Sequence, residues 1–290
     1  MSAYTDDIRK RFKESDDVRD AGLSTPKEIE RFDDILYGED DHWQVLDVYR
    51  RKDLNDQKLP VIVSIHGGGW VYGDKERYQY YCMDLAMRGF AVVNFTYRLA
   101  PEFKFPASLE DTNLVICWIL EHADTYGFDT KHVFAVGDSA GAHILALYSS
   151  ICTNSDYAKK YTLQVPVGFV PTAIALNCGV YKTDGESKLL TELLPQKGTK
   201  EELEILDALQ YVSEKIPPVY LMTSTGDFLK MQAIDMAQKL TECNVPFLYG
   251  FYGDSKNLLG HVFHCDMRNA DGKRCNDDEC DFFRRYIGDV

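Results

Sequence analysis

The chain has 290 residues, 45% of them hydrophobic, and carries 32 lysines and arginines against 46 aspartates and glutamates, a formal net charge of −14. That length suits one α/β domain with a small appendage and a sizeable core. The negative charge repels phosphate backbones and anionic lipid surfaces, so nucleic acid and membranes are poor expected partners; a homo-oligomer stays open.

The opening MSAYTDDIRKRFKESDD is charged throughout and lacks an apolar signal-like core, and no later stretch approaches the roughly 20 apolar residues of a membrane span. Apolar spacing through Ile8, Phe12 and Val18 predicts a helix, and a second helix is predicted through Ile29, Phe32, Ile35 and Leu36, after the start signal Ser24-Thr25-Pro26. From Trp43 the alternation WQVLDVYR predicts a strand, and the apolar run LPVIVSIH a buried one. A helical segment around YYCMDLAMRG leads to the strand FAVVNFTYR at 90–98. A helix over 110–126, the strand KHVFAVGD, a helix from Ser139 to about Ile151 and the strand PTAIALNCG follow. Strands alternating with helices imply a parallel sheet with crossovers, the α/β class.

Residues 181–216 interrupt that rhythm with two helix-like pieces split by PQKGTK, and the stretch is long enough to be an inserted cap. The pattern resumes with the strand PPVYLMTSTGD, the helix MQAIDMAQKLTECN, the strand PFLYGFYGD and an amphipathic helix ending in CDFFRRYI. Of the eight cysteines, the first five sit singly in apolar stretches, which suits a reducing cytoplasm. Cys275 and Cys280 could pair or share a metal, but their spacing is not that of a metal site, and packing is the simpler role.

Two motifs carry chemistry. Gly137-Asp138-Ser139-Ala140-Gly141 fits G-x-S-x-G between the strand HVFAV and the helix AHILALYSS. A serine on so sharp a turn needs small neighbours two residues away on either side, and the helix start at Ala140 offers a free N–H to an anion forming beside it. Upstream, His66-Gly67-Gly68-Gly69-Trp70 ends the strand VIVSI. Three successive glycines suit a backbone that approaches a ligand closely, and N–H groups from this loop together with that of Ala140 would make an oxyanion hole.

With these motifs stand Tyr97-Arg98-Leu99-Ala100-Pro101-Glu102, then Phe105-Pro106-Ala107, and Leu109-Glu110-Asp111 followed by Trp118. Together, over roughly residues 43–265, the chain resembles the hormone-sensitive-lipase branch of the α/β-hydrolases. The resemblance implies an α/β-hydrolase fold with a mostly parallel eight-stranded sheet flanked by helices, and a helical cap here comprising 1–40 and 181–216. It further implies a triad in the order Ser, Asp, His and carboxylesterase activity, with oxyanion donors mapping onto Gly68, Gly69 and Ala140. Glu110-Asp111 and Tyr97-Arg98 would tie the loops beneath the site.

Among seven histidines, His261 and His264 follow the last strand, where a loop can swing over the nucleophile. His261, before Val262-Phe263, resembles the family's His-x-Phe; His264 falls at the start of the predicted final helix. Asp227 ends a core strand after Gly226 and matches the family's acid, although Phe228 stands where the family usually has proline. Its rival, Asp254, begins the polar turn GDSKN. The expectation is a serine esterase for short, acetyl-like esters through Ser139, Asp227 and His261, needing no metal or organic cofactor. An amidase or formamidase would use the same groups, and a non-catalytic small-molecule receptor would keep only the fold.

Overall fold

The apolar run LPVIVSI forms β3 (Leu59–Ile65) at the centre of an eight-stranded sheet, because a strand covered on both faces has no solvent side to make polar. The computed structural model describes residues 2–183 and 185–288. The strands are β1 (Ile29–Leu36), β2 (Val45–Arg51), β3, β4 (Ala91–Phe95), β5 (Phe128–Asp138), β6 (Ile174–Asn177), β7 (Val219–Ser224) and β8 (Phe247–Tyr252). Their order across the sheet is β1-β2-β4-β3-β5-β6-β7-β8, with β2 antiparallel to β1 and β4 and every other pair parallel. This is the mostly parallel architecture expected from the sequence.

In chain order the helices are α1 (Ala3–Asp20), α2 (Lys75–Ala86), α3 (Ala107–Glu121), α4 (Ala123–Tyr126), α5 (Ala140–Thr153), α6 (Ser155–Ala158), α7 (Lys188–Leu193), α8 (Lys200–Leu206), α9 (Ala208–Tyr211), α10 (Lys230–Glu242) and α11 (Ala270–Arg284). One face of the sheet is packed by α3, α5 and α10 through residues such as Leu109, Leu145 and Met236. The other is covered by α2 and α11, with Met83, Cys275 and Phe283 against Ile62, Phe134 and Tyr220. Two apolar layers around one sheet place its carboxyl edge, where β3, β5, β6 and β7 end, free for loops that carry chemistry.

One predicted element is corrected. Residues 29–36 form strand β1 and not a second helix. Ile29 packs with the α2 and α11 layer, whereas Phe32 and Ile35 pack with the opposite one. The register shifts between Phe32 and Ile35, where Asp34 takes φ 57°. That irregularity puts residues three apart on one face, which in sequence imitates helical spacing. The first predicted helix does form, as α1.

The cysteines Cys275 and Cys280 both lie buried in α11, and all eight cysteines are free thiols. Among the described residues no helix is long and apolar enough to cross a membrane.

Candidate active site

Ser139 sits between β5 and α5 with φ 53° and ψ −116°, a conformation that no ordinary strand or helix residue adopts. The surrounding chain enforces it. Ser139 N–H donates to Asn177 O at 2.9 Å, while a Cβ on Gly141 would lie 2.0 Å from Ile65 O and one on Gly137 2.5 Å from Gly141 O. The two glycines of the motif are therefore required by backbone contact with β3 and with the first turn of α5.

The glycine loop after β3 lies beside this turn. Gly68 has φ 115°, and a Cβ there would meet Tyr72 O at 2.1 Å; Gly69 has φ 61°. Gly67 N–H donates to Tyr78 Oη at 3.0 Å, and that hydroxyl donates to Asp138 Oδ2 at 2.7 Å, so one tyrosine ties the glycine loop to the serine turn. Within the described residues, no backbone hydrogen bond of the surrounding loops takes the N–H of Gly68, Gly69 or Ala140. From below, Tyr97 stacks on His66 at 4.0 Å and donates to His66 O at 3.0 Å. Asp111, fully buried, accepts from Arg98 N at 2.7 Å, Arg98 Nε at 2.9 Å and Gln44 Nε2 at 2.7 Å, and Arg98 also reaches Glu110 at 2.9 Å. These are the tying contacts expected of Tyr97-Arg98 and Glu110-Asp111.

His261 and Asp227 meet. His261 Nδ1 is 2.7 Å from Asp227 Oδ1, with the Phe228 ring tilted against the imidazole at 4.4 Å. Asp227 is 2% exposed, and it accepts further hydrogen bonds from Thr223 Oγ1 at 2.7 Å and Leu229 N at 2.9 Å. Burial acts to raise its carboxyl, but the bonds from His261 and Thr223 outweigh it and hold the group below the usual carboxylate range. Asp254, by contrast, is exposed, and it caps its own turn by accepting from Lys256 N at 2.7 Å and Asn257 N at 2.8 Å. His264 is fully buried in a 3-10 turn, edge-on to Tyr81 at 5.1 Å, and burial drives its imidazole down to about 3, so it stays neutral.

Ser139, His261, Gly68, Gly69 and Ala140 all line one cavity of about 500 Å³. Its outer walls are α1, through Phe12, Asp16 and Arg19, and the 181–216 stretch, through Lys182, Leu189 and Leu190. Arg19 is paired with Asp16 at 3.0 Å and Asp20 at 2.8 Å, and Tyr72 Oη donates to Asp16 at 2.9 Å. Sequence reasoning missed three roles that matter here: the tie made by the Tyr78 hydroxyl, Asp138 as an acceptor, and the bond from Thr223. Asp138 is buried, and desolvation lifts its carboxyl to about 6 against the opposing bond from Tyr78. No local pattern signals a hydrogen bond between residues 60 positions apart. Thr223, four residues before Asp227, has only its hydroxyl in a mostly apolar strand, next to a second hydroxyl at Ser224, as a clue.

The family model described as BD-FAE matches residues 46–240. The chain belongs to the BD-FAE family. It stands among the hormone-sensitive-lipase-like α/β-hydrolases. Similar to this BD-FAE chain is esterase LipC of Mycobacterium tuberculosis, 33% identical over 148 residues, which are 51% of this chain and 35% of LipC. The matched segment thus spans about a third of that relative. Versiconal hemiacetal acetate esterase of Dothistroma septosporum is 30% identical over 228 residues, 70% of this chain and 68% of its own. Among solved structures, esterase B of Lactobacillus rhamnosis superposes with a TM-score of 0.89 at 24% identity, covering 98% of this chain and 96% of that one, a likeness of fold.

Proposed function

We propose that this protein is a serine hydrolase of carboxylic esters with small, acetyl-like acyl groups. The observation that carries the reading is the 2.7 Å bond between the buried Asp227 and Nδ1 of His261, which lines the same cavity as Ser139 and the residues of the three N–H donors. With its Nδ1 proton given to Asp227, His261 presents Nε2 as an acceptor and takes the hydroxyl proton of Ser139 as the serine oxygen bonds to the ester carbonyl carbon. The carbonyl oxygen becomes an anion received by Gly68, Gly69 and Ala140, each such donor contributing about 3 kcal/mol. Collapse breaks the carbon–oxygen bond, His261 returns the proton to the departing alcohol, and water repeats the sequence on the acyl-serine.

The name of the Dothistroma relative, an acetate esterase, supports a small acyl group, as does a cavity of about 500 Å³ shared between acyl and alcohol. α1 and residues 181–216 act as the cap that selects the alcohol. Eight free thiols support a reducing, cytoplasmic setting, and the partner is a small-molecule ester. The deciding assay measures hydrolysis of p-nitrophenyl esters of increasing acyl length and of an aryl formamide by wild type and Ser139→Ala. Turnover greatest for acetate and butyrate, and lost in Ser139→Ala by at least about a thousandfold, is expected. Preference for the formamide would instead identify an amidase.

A further inference from the structure

Beside the His261–Asp227 pair lies a third metal-ligating side chain that ester hydrolysis does not employ. Cys178 follows β6 at φ 47°, its N–H donated to Met222 O at 2.7 Å, and its side chain is fully buried. Its Sγ, a carboxylate oxygen of Asp227 and an imidazole nitrogen of His261 all lie within 4.8 Å of one another. Thiolate, carboxylate and imidazole form the donor set of a zinc-class ion, whose ligand atoms, at about 2.0–2.3 Å from the metal, stand roughly 3.3–3.7 Å apart in a tetrahedron. The three atoms need move only modestly to reach that arrangement. Charge also matches, since one thiolate and one carboxylate neutralise a divalent ion and make its partial burial tolerable. Cys178 and Asp227 are buried but the His261 side chain is 20% exposed, and it lines the cavity, which supplies the entry path.

We propose that Cys178, Asp227 and His261 form an inhibitory site for a thiophilic divalent cation, Zn²⁺ or Cd²⁺, that enters through the substrate cavity. The inference that binding arrests catalysis rests on the reading of His261 as general base; the binding itself does not. A metal on Nδ1 obliges the neutral imidazole to carry its single proton on Nε2, where it donates and can no longer accept the Ser139 proton. The Cys178 thiol releases its proton to solvent as the metal–sulfur bond forms, water fills the fourth position, and no electron changes hands.

The experiment has two arms on the full chain, freed of metal by chelator. In the first, rates on p-nitrophenyl acetate are followed against rising ZnCl₂ for wild type, Cys178→Ala and Cys265→Ala. Wild type is inhibited and recovers with EDTA. Cys178→Ala hydrolyses the ester but requires about 10–100-fold more Zn²⁺ for half inhibition. Cys265→Ala, which alters the separate buried group Asp138, His264 and Cys265, behaves as wild type. Should Cys178→Ala fail to fold, Cys178→Ser keeps the shape and weakens the ligand. In the second arm, Co²⁺ is added to Ser139→Ala protein, which is expected to develop a near-ultraviolet thiolate-to-metal band that disappears when Cys178 is also replaced. Equal Zn²⁺ sensitivity of wild type and the Cys178 variants overturns the proposal, as does a Co²⁺ spectrum without a thiolate band. If Ser139→Ala remained active the hydrolytic reading would fail, while the Co²⁺ band would still report on the site.

Discussion

Asp227 and Asp254 each follow a glycine at the end of neighbouring parallel strands, and their surroundings alone separate them. Asp227 is buried and accepts from His261, Thr223 and Leu229; Asp254 is exposed and spends its carboxylate on its own turn. Asn at 227 would place an amide against Nδ1, favour the wrong imidazole tautomer and leave the imidazolium unbalanced. Asp227→Asn is therefore expected to slow acylation by the order of 10⁴, and Asp254→Asn to leave it nearly unchanged, as single-turnover rates would report. The reverse pattern would remove Asp227 from the proposed triad. Gly141 poses a second contest at the same scale. Helix propensity favours alanine over glycine by about 1 kcal/mol, but here a Cβ would lie 2.0 Å from Ile65 O and 2.7 Å from His66 O, both backbone atoms. The clash wins, and Gly141→Ala should lose about 3 kcal/mol or more in denaturant unfolding. A neutral result would mean that the serine turn is not pressed against β3.

Elements differ in how far their own residues announce them. β3, β5 and α5 were legible because long apolar runs, their breaks and the small residues between them are local features, and Ser139 and the glycine loop inherit their positions from those breaks. β1 was not, because its irregularity near Asp34 places Ile29 on one side and Phe32 with Ile35 on the other, a spacing that also fits a helix. Its pairing partner β2, with Arg31 opposite Tyr49, decides the matter through space. The link between α2 and the glycine loop was equally hidden, since Tyr78 acts on Gly67 and Asp138 only after folding. Removing that hydroxyl tests how much the loop depends on the helix. Tyr78→Phe strands a buried N–H and a buried carboxylate, each worth about 1–3 kcal/mol, and releases the loop that carries Gly68 and Gly69. The expected result is a fall in kcat of about 10–100-fold with KM little changed, together with a lower melting temperature. Unaltered kcat beside lost stability would limit Tyr78 to a role in folding.

At the scale of the whole molecule, the largely apolar layer formed by α2 and α11 carries a buried carboxyl that reaches the sheet from behind the site. Glu279 of α11 is fully buried, accepting from Tyr81 Oη at 3.0 Å and from Asn177 Nδ2 at 2.6 Å at the end of β6. Burial pushes its carboxyl up to about 7, with the two hydrogen bonds opposing, and the buried Asp138 adds a further unfavourable charge. A carboxyl held higher in the folded protein than in the unfolded chain binds its proton more tightly when folded. Its contribution is complete below the unfolded value near 4.5 and is lost as pH rises toward 7, the opposite of the trend for Asp227, whose lowered carboxyl loses its contribution as pH falls. The loss at Glu279 amounts to about 3 kcal/mol across that window, at 1.36 kcal/mol per unit. Glu279→Gln removes the ionisable group while keeping the shape, and Asn177 Oδ1, which has no hydrogen-bond partner among the described residues, can turn to receive the new amide. Melting temperatures of wild type and Glu279→Gln should therefore converge near pH 4 and separate by several degrees near pH 8, with the variant the more stable. Parallel curves over that range would mean that Glu279 titrates alike in the folded and unfolded chains, and that the layer behind the site admits enough water to hydrate its charge.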